Sequence, residues 1–195
     1  AAGIGLGMPI QEPTASMVVD IGGGTTEVAV LALAGVVESQ SVRVAGDEMD
    51  DAITDFMKKQ YQLLIGPQAA ERIKIAVGSA WPLEQELQLT VKGRHAKSGL
   101  PRPATINSEE IREALLGPIE EIIQAVRRTL EKTEPELSAD LVDSGICLCG
   151  GGALLRGLDK RIQASVEVPV AVAEDPLTAV ARGTGIILDN LDLLK

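Results

Sequence analysis

The sequence predicts an α/β fold with a small subdomain inserted into a larger one, and three observations carry that reading. A meander of three short strands opens the chain, a mostly helical stretch follows, and the last third alternates strand with helix. Met17-Val18-Val19-Asp20-Ile21 is an apolar run with β-branched residues that stops at Gly22-Gly23-Gly24. It reads as a buried strand ending in a tight turn. Strand-formers resume over residues 26–31, and residues 36–44 give a third strand after the Ala34-Gly35 turn. Links this short imply antiparallel pairing, because parallel neighbours need a crossover of about a dozen residues.

Asp47 then reads as the N-cap of a helix whose apolar stripe is Met49, Ala52, Ile53, Phe56 and Met57. Gly66-Pro67 breaks it, and a second helix is expected from Pro67 to about Val77, with proline at its first position. Residues 86–92 alternate strictly and predict a half-exposed strand. Residues 93–103, with two glycines, two prolines and four basic residues, predict a surface loop. Asn107 and Glu110 are spaced as a capping box, and Ile119, Ile122, Ile123, Val126 and Leu130 mark another helix. Residues 146–149 read as a strand, 153–164 as a helix, and 168–173 as a strand. Asp175-Pro176 reads as the start of a last helix through Leu191.

Of the 195 residues 45% are hydrophobic and 24% charged, ordinary globular values. Aromatics are only 2%, so aliphatic side chains must build the core. A net charge of −10 repels phosphate backbones and argues against a nucleic-acid partner. Cys147 and Cys149 lie two apart on a strand and share a face; with a single histidine in the chain they read as buried thiols, not half of a zinc site. No apolar run is long enough to span a membrane. The opening residues, Ala1 to Gly7, read as the tail of an element already under way, so a longer parent protein is expected.

Two glycine clusters carry the chemistry. In Asp20-Ile21-Gly22-Gly23-Gly24-Thr25-Thr26, glycines let backbone N–H groups approach an anion, the threonines add hydroxyl donors, and Asp20 is placed to hold a hydrated Mg²⁺ or orient a water. No lysine follows, which excludes a Walker A loop, and the turn leads into a strand, which excludes a dinucleotide-binding fingerprint. In the second cluster, Gly150-Gly151-Gly152-Ala153, a strand feeds a helix, where backbone can approach a flat or anionic group.

The first cluster is similar to the second phosphate loop of the actin, sugar-kinase and heat-shock chaperone ATPases, and Gly150–Leu155 looks like their adenosine loop. Val44-Ala45-Gly46-Asp47-Glu48-Met49-Asp50, Glu71-Arg72-Ile73-Lys74 and Ala173-Glu174-Asp175-Pro176-Leu177-Thr178 narrow the resemblance to the MreB family of bacterial actin-like proteins. The resemblance implies one half of a ribonuclease H-like, actin-type ATPase fold: residues 1–46 with 118–195 as the nucleotide-binding subdomain, and 47–117 as the small inserted one. It implies ATP and Mg²⁺ as cofactors. Gly22, Gly23, Gly24 and Thr25 would face the phosphates, and Asp20 would sit at the Mg²⁺ and the attacking water. Glu71, Arg72, Ile73 and Lys74 would lie toward ribose and adenine, with Gly150, Gly151, Gly152 and Ala153 closing over the adenosine.

The resemblance further implies a filament-forming protein at the inner face of the cytoplasmic membrane. It would act in rod cell shape and the guidance of cell-wall synthesis, with a membrane-anchored adaptor and cell-wall elongation proteins as partners. Another phosphate loop and the membrane contacts belong to the family's first half, so weak ATPase activity is expected of an intact protein and little of this chain alone. Two alternatives stay open at this point: a sugar-kinase or chaperone-type ATPase of the same superfamily, and an interaction module that works without nucleotide.

Overall fold

In the computed structural model, which describes residues 1–189, a five-stranded mixed sheet runs in the order β3-β2-β1-β7-β8. The strands are β1 (Ser16–Ile21), β2 (Thr26–Ala32), β3 (Gly35–Val42), β7 (Ile146–Cys149) and β8 (Val170–Val172). β1, β2 and β3 form the expected antiparallel meander, and β7 and β8 add in parallel. Alternation along the strands divides the sheet cleanly between two faces. Met17, Val19, Ile21, Ile146 and Leu148 enter the main core, while Val18, Cys147 and Cys149 face a smaller cluster on the other side. The cysteines are free thiols sharing a face, as their spacing predicts.

The main-core face is closed by α5 (Leu116–Lys132), which packs on β2 and β3 and buries Ile119, Ile122, Ile123 and Val126. Each buried aliphatic side chain of this size contributes about 1.5–3 kcal/mol. The other face is covered by α1 (Ala2–Gly5) and α8 (Ala179–Asp189), which pack on each other. Their contact is so close that a Cβ on Gly5 would stand 1.8 Å from the Ala179 carbonyl oxygen.

Between β3 and α5 lie α2 (Gly46–Tyr61), β4 (Leu63–Leu64), α3 (Pro67–Val77), β5 (Gln88–His95), β6 (Pro101–Asn107) and α4 (Ser108–Ala114). Met49, Ile53 and Met57 of the α2 stripe are fully buried, and α3 starts with Pro67 as expected. Asn107 Oδ1 accepts from the Glu110 N–H at 2.9 Å and Glu110 Oε2 accepts from the Asn107 N–H at 2.9 Å, so the capping box forms. Arg112 donates to both Glu86 oxygens, at 2.7 and 2.8 Å, tying the segment before β5 to α4.

Five expectations need correction. Asp47 is not the N-cap of α2: Ala45 is, with its N–H held by Glu48 Oε2 at 2.8 Å. Carbonyls of the first glycine bend satisfy the next two donors, so no side-chain cap is required. Residues 93–103 are not simply a loop, because β5 continues to His95 and pairs with β6. Pro101 and Pro103 are tolerated since β6 is an edge strand. The third strand stops at Val42. No helix starts at Ala153; a 3₁₀ turn over Gly151–Leu154 comes first, and α7 (Leu158–Val166) begins after Gly157 at φ +71°. The last helix starts at Ala179, its first turn closed by Arg182 N–H on the Thr178 carbonyl at 2.8 Å, and its expected end at Leu191 lies outside the described residues. A further helix, α6 (Pro135–Ser144), packs on β1.

Candidate functional site

The bend after β1 is closed by the Gly22 N–H donating to the Thr25 carbonyl at 2.9 Å. None of its three glycines has a positive φ. A Cβ on Gly23 or Gly24 would meet only the Asp47 carboxylate, at 3.6–3.8 Å. Neither a positive φ nor packing therefore demands glycine at Gly23 or Gly24, whereas a Cβ on Gly22 would stand 3.3 Å from the Thr25 carbonyl oxygen; at Gly23 and Gly24 the bare backbone leaves room for close approach. The Gly22 and Gly23 carbonyls accept from the N–H groups of Gly46 (3.2 Å) and Asp47 (2.8 Å), which fixes the bend to α2. The N–H groups of Gly23, Gly24 and Thr25 donate to no acceptor among the described residues.

The second cluster is constrained differently. Gly150 has φ +81° and ψ 168°, a region that side chains other than glycine's essentially never occupy. A Cβ there would lie 2.3 Å from the Ile21 carbonyl oxygen and 2.5 Å from Asp20 Oδ1. A Cβ on Gly152 would lie 2.2 Å from Ile21 Cγ2. The second bend is thus pressed against the end of β1, which places both glycine clusters side by side.

Between them opens a cavity of about 590 Å³. Gly22 and Gly23 form one part of its lining, Gly151 and Gly152 another, and Glu71 and Lys74 of α3 a third. The remaining expected residues stand around it. Gly24 and Thr25 are exposed at the bend, Asp20 lies at the end of β1, and Gly150 and Ala153 pack beneath the second loop. Ile73 is only 1% exposed and belongs to the core, and Arg72 is exposed outside the lining, so the Glu71–Lys74 motif delivers just its first and last residues to the cavity. The sequence reading missed Gly46, Asp47, Met49, Asp50, Ile75, Leu154, Leu155, Arg156 and Leu177 in the lining. All but Ile75 and Arg156 were within reach of sequence reasoning, since each belongs to a motif that carries the resemblance; those two belong to none and reach the cavity only through the fold.

Lys74 does not pair with Glu71 one turn away. Its Nζ donates to Asp50 Oδ2 at 3.0 Å and to the Gly46 carbonyl at 2.8 Å, with both side chains 16% exposed. Burial pushes the Asp50 carboxyl above its ordinary value, and the Lys74 hydrogen bond and charge pull it partly back. Asp50 Oδ1 is buried with no hydrogen-bond partner. Arg156 crosses from the second glycine loop to the end of α3, where its Nη1 donates to the Ile75 carbonyl at 2.7 Å. The cavity is polar at the glycine bends and apolar at Ile75, Leu154 and Leu177.

Asp20 stands opposite Glu27 on β2 and Cys149 on β7. Burial raises its carboxyl above the usual value, Glu27 raises it further by repulsion, and the Cys149 thiol lowers it by hydrogen bonding. Cys149 is pushed up to about 12, by burial first and then by Asp20, and is therefore an unreactive thiol. No group of three or more metal-ligating side chains exists among the described residues. A cation beside Asp20 would therefore draw most of its ligands from water and phosphate, which is the ordinary habit of Mg²⁺.

The sequence matches the MreB/Mbl protein family over residues 1–195. The chain belongs to that family. It is 52% identical over 193 residues to the cell shape-determining protein MreB of Escherichia coli (strain K12), covering 99% of this chain and 56% of the relative. To the cell shape-determining protein Mbl of Bacillus subtilis (strain 168) it is 49% identical over 193 residues, 99% of this chain and 58% of the relative. Among solved structures, MreB 5 of Spiroplasma citri bound to AMPPNP superposes with a TM-score of 0.94 at 39% identity, over 98% of this chain and 57% of that one. A MamK double helical filament follows at TM-score 0.80 and 23% identity, over 97% and 57%, a likeness of fold alone. The actin-like fold expected from the sequence is thus the observed one, and the chain spans little more than half the length of these MreB/Mbl relatives. Among the described residues no helix is long and apolar enough to cross a membrane.

Proposed function

We propose that this chain is the second half of an ATP-binding, filament-forming actin-like protein of the MreB/Mbl family, acting in rod cell shape and in guiding cell-wall synthesis. The observation that carries the reading is the shared cavity: Gly22 and Gly23 meet Gly151 and Gly152 across it, with Glu71 and Lys74 between. Free N–H groups at Gly23, Gly24 and Thr25 suit the phosphates, and the apolar side at Ile75, Leu154 and Leu177 suits a purine. Asp20 would hold a hydrated Mg²⁺, which would neutralise phosphate charge, and would orient the attacking water. Its carboxyl, crowded by Glu27, gains from a neighbouring cation. In this reading residues 1–46 and 118–195 form the nucleotide-binding subdomain and 47–117 the inserted one. The protein would work at the inner face of the cytoplasmic membrane with an adaptor and elongation proteins, touching lipid through the part of the family not represented here.

That part also supplies the other phosphate contacts. Charge-assisted hydrogen bonds are worth about 1.5–3 kcal/mol each, so lacking three of them weakens binding by at least ~10³-fold. Titrating the ¹⁵N-labelled chain with Mg²⁺–ATP is expected to shift the amides of Gly23, Gly24, Gly151 and Gly152 together, with weak affinity. Micromolar binding would refute the half-site; shifts absent from both bends would refute the nucleotide reading.

A further inference from the structure

Three large aliphatic side chains stand exposed around the cavity: Ile75 is 64% exposed, Leu154 56% and Leu177 67%. They come from three separate segments, the last turn of α3, the 3₁₀ turn of the second glycine loop and the stretch before α8. A flat apolar group seated among them would cover all three at once, so their spacing governs how tightly a purine is held. Leu177 is placed by backbone: the carbonyl of its neighbour Pro176 accepts from the Gly150 N–H at 2.8 Å. Ile75 lies on α3, in the inserted segment, and is joined to the second loop by Arg156.

Arg156 is held at both ends. Its carbonyl accepts from the Ala80 N–H at 2.8 Å, just beyond α3. Its side chain turns back over the end of that helix, where Nη1 donates to the Ile75 carbonyl at 2.7 Å and to the Gly78 carbonyl at 3.3 Å. A guanidinium there also meets the partial negative charge of the last helical carbonyls. The two walls are in close contact beneath it, since a Cβ on Gly78 would stand 3.1 Å from Leu155 Cδ1. Donor and acceptor lie 81 residues apart, so the bond ties two segments of the cavity wall together instead of capping one helix locally.

We infer that Arg156 is a positioning residue for the base of the bound nucleotide: its guanidinium holds α3 against the second glycine loop and so sets the gap between Ile75 and Leu154 that the purine enters. The phosphate bend is fixed separately, by the Gly22 N–H on the Thr25 carbonyl and by the N–H groups of Gly46 and Asp47 on the Gly22 and Gly23 carbonyls. Arg156 therefore acts on the base half of the site and leaves the phosphate half as it is. The inference rests on the nucleotide reading of the cavity.

Titrations of the ¹⁵N-labelled whole chain with Mg²⁺–ATP and, separately, with Mg²⁺–tripolyphosphate test it, comparing the parent with R156M and R156K. Urea titrations confirm that each variant folds, as expected for a change at an exposed side chain. R156M should weaken Mg²⁺–ATP binding about tenfold, the worth of one charge-assisted hydrogen bond, and leave tripolyphosphate binding unchanged. R156K keeps a charge and donors but not the planar fork, and should lose less. Equal Mg²⁺–ATP affinity in the parent and R156M overturns the inference. So does a parallel loss of both probes, which would mark Arg156 as a structural cap only. A parent that binds tripolyphosphate as tightly as ATP overturns it too, because there would be no base slot to position. If R156M does not fold, R156K is judged by the same criteria. A parent that binds neither probe removes the nucleotide reading and the inference with it, whereas a parent and a variant that bind both alike remove the inference alone.

Discussion

Replacing Gly150 with alanine separates what the two glycine clusters are for. At φ +81° and ψ 168° an alanine is held in a region that costs about 1–3 kcal/mol. Its Cβ would also stand 2.3 Å from the Ile21 carbonyl oxygen and 2.5 Å from Asp20 Oδ1. Ile21 is paired with Thr26, and its neighbour Asp20 is paired with both β2 and β7, so the backbone there has little room to yield. Overpacking against a fixed backbone adds about 1–3 kcal/mol. The total, about 2–6 kcal/mol, is a large share of the ~5–15 kcal/mol that holds a domain together. Gly23→Ala is the matched control: its φ is not positive and its Cβ meets only Asp47 oxygens, at 3.7 and 3.8 Å. It should change stability by less than about 0.5 kcal/mol. Urea titrations followed by circular dichroism measure both. If Gly150→Ala matches the parent, or if Gly23→Ala is equally damaging, the distinction between a structural and a ligand-facing cluster fails.

Two further predictions concern the carboxylates. Asp20 has its folded pKa raised, so the folded protein favours the protonated form, and its stability is greatest below the ordinary value of 3.8 and falls as pH rises through the folded value. Asp20→Asn should therefore raise the urea midpoint at pH 7, with the gain shrinking as pH falls toward 3.8, while abolishing any Mg²⁺ dependence of nucleotide-induced shifts. A loss of stability at pH 7 would contradict this. Lys74→Met strands Asp50 half-buried and removes the donor to Gly46, and should cost about 1–3 kcal/mol at pH 7. The loss should be smaller in acid, where Asp50 is protonated, and adding Asp50→Leu should recover much of it; an equal loss at both pH values would argue against the ion pair.

Local patterns in the sequence were strong where one element satisfied its own chemistry. The apolar run of β1, the stripes of α2 and α5 and the Asn107–Glu110 box each depend on neighbours within a few residues, and each was found where expected. The errors fall where a distant segment supplies the missing partner. Asp47 looked like a cap because nothing nearby shows that the Gly22 and Gly23 carbonyls, more than 20 residues earlier, take the first donors of α2. The Pro101–Pro103 stretch looked like a loop because proline removes ladder donors, and only the pairing with β5 shows which side of β6 needs none.

The candidate site shows the same division more sharply. Glycine runs announce that backbone must come close to something, but they do not say to what. At Gly150 and Gly152 the answer is the chain itself, the end of β1, and at Gly23 and Gly24 the only neighbour is the Asp47 carboxylate, at ordinary contact distance. Only the first kind is required for folding, so a selection for stability alone would keep Gly150 and be free to replace Gly23. Gly23 and Gly24 are therefore the residues whose identity argues most directly for a ligand, and Lys74, spent on Asp50 and Gly46, argues for holding the cavity wall before anything enters it.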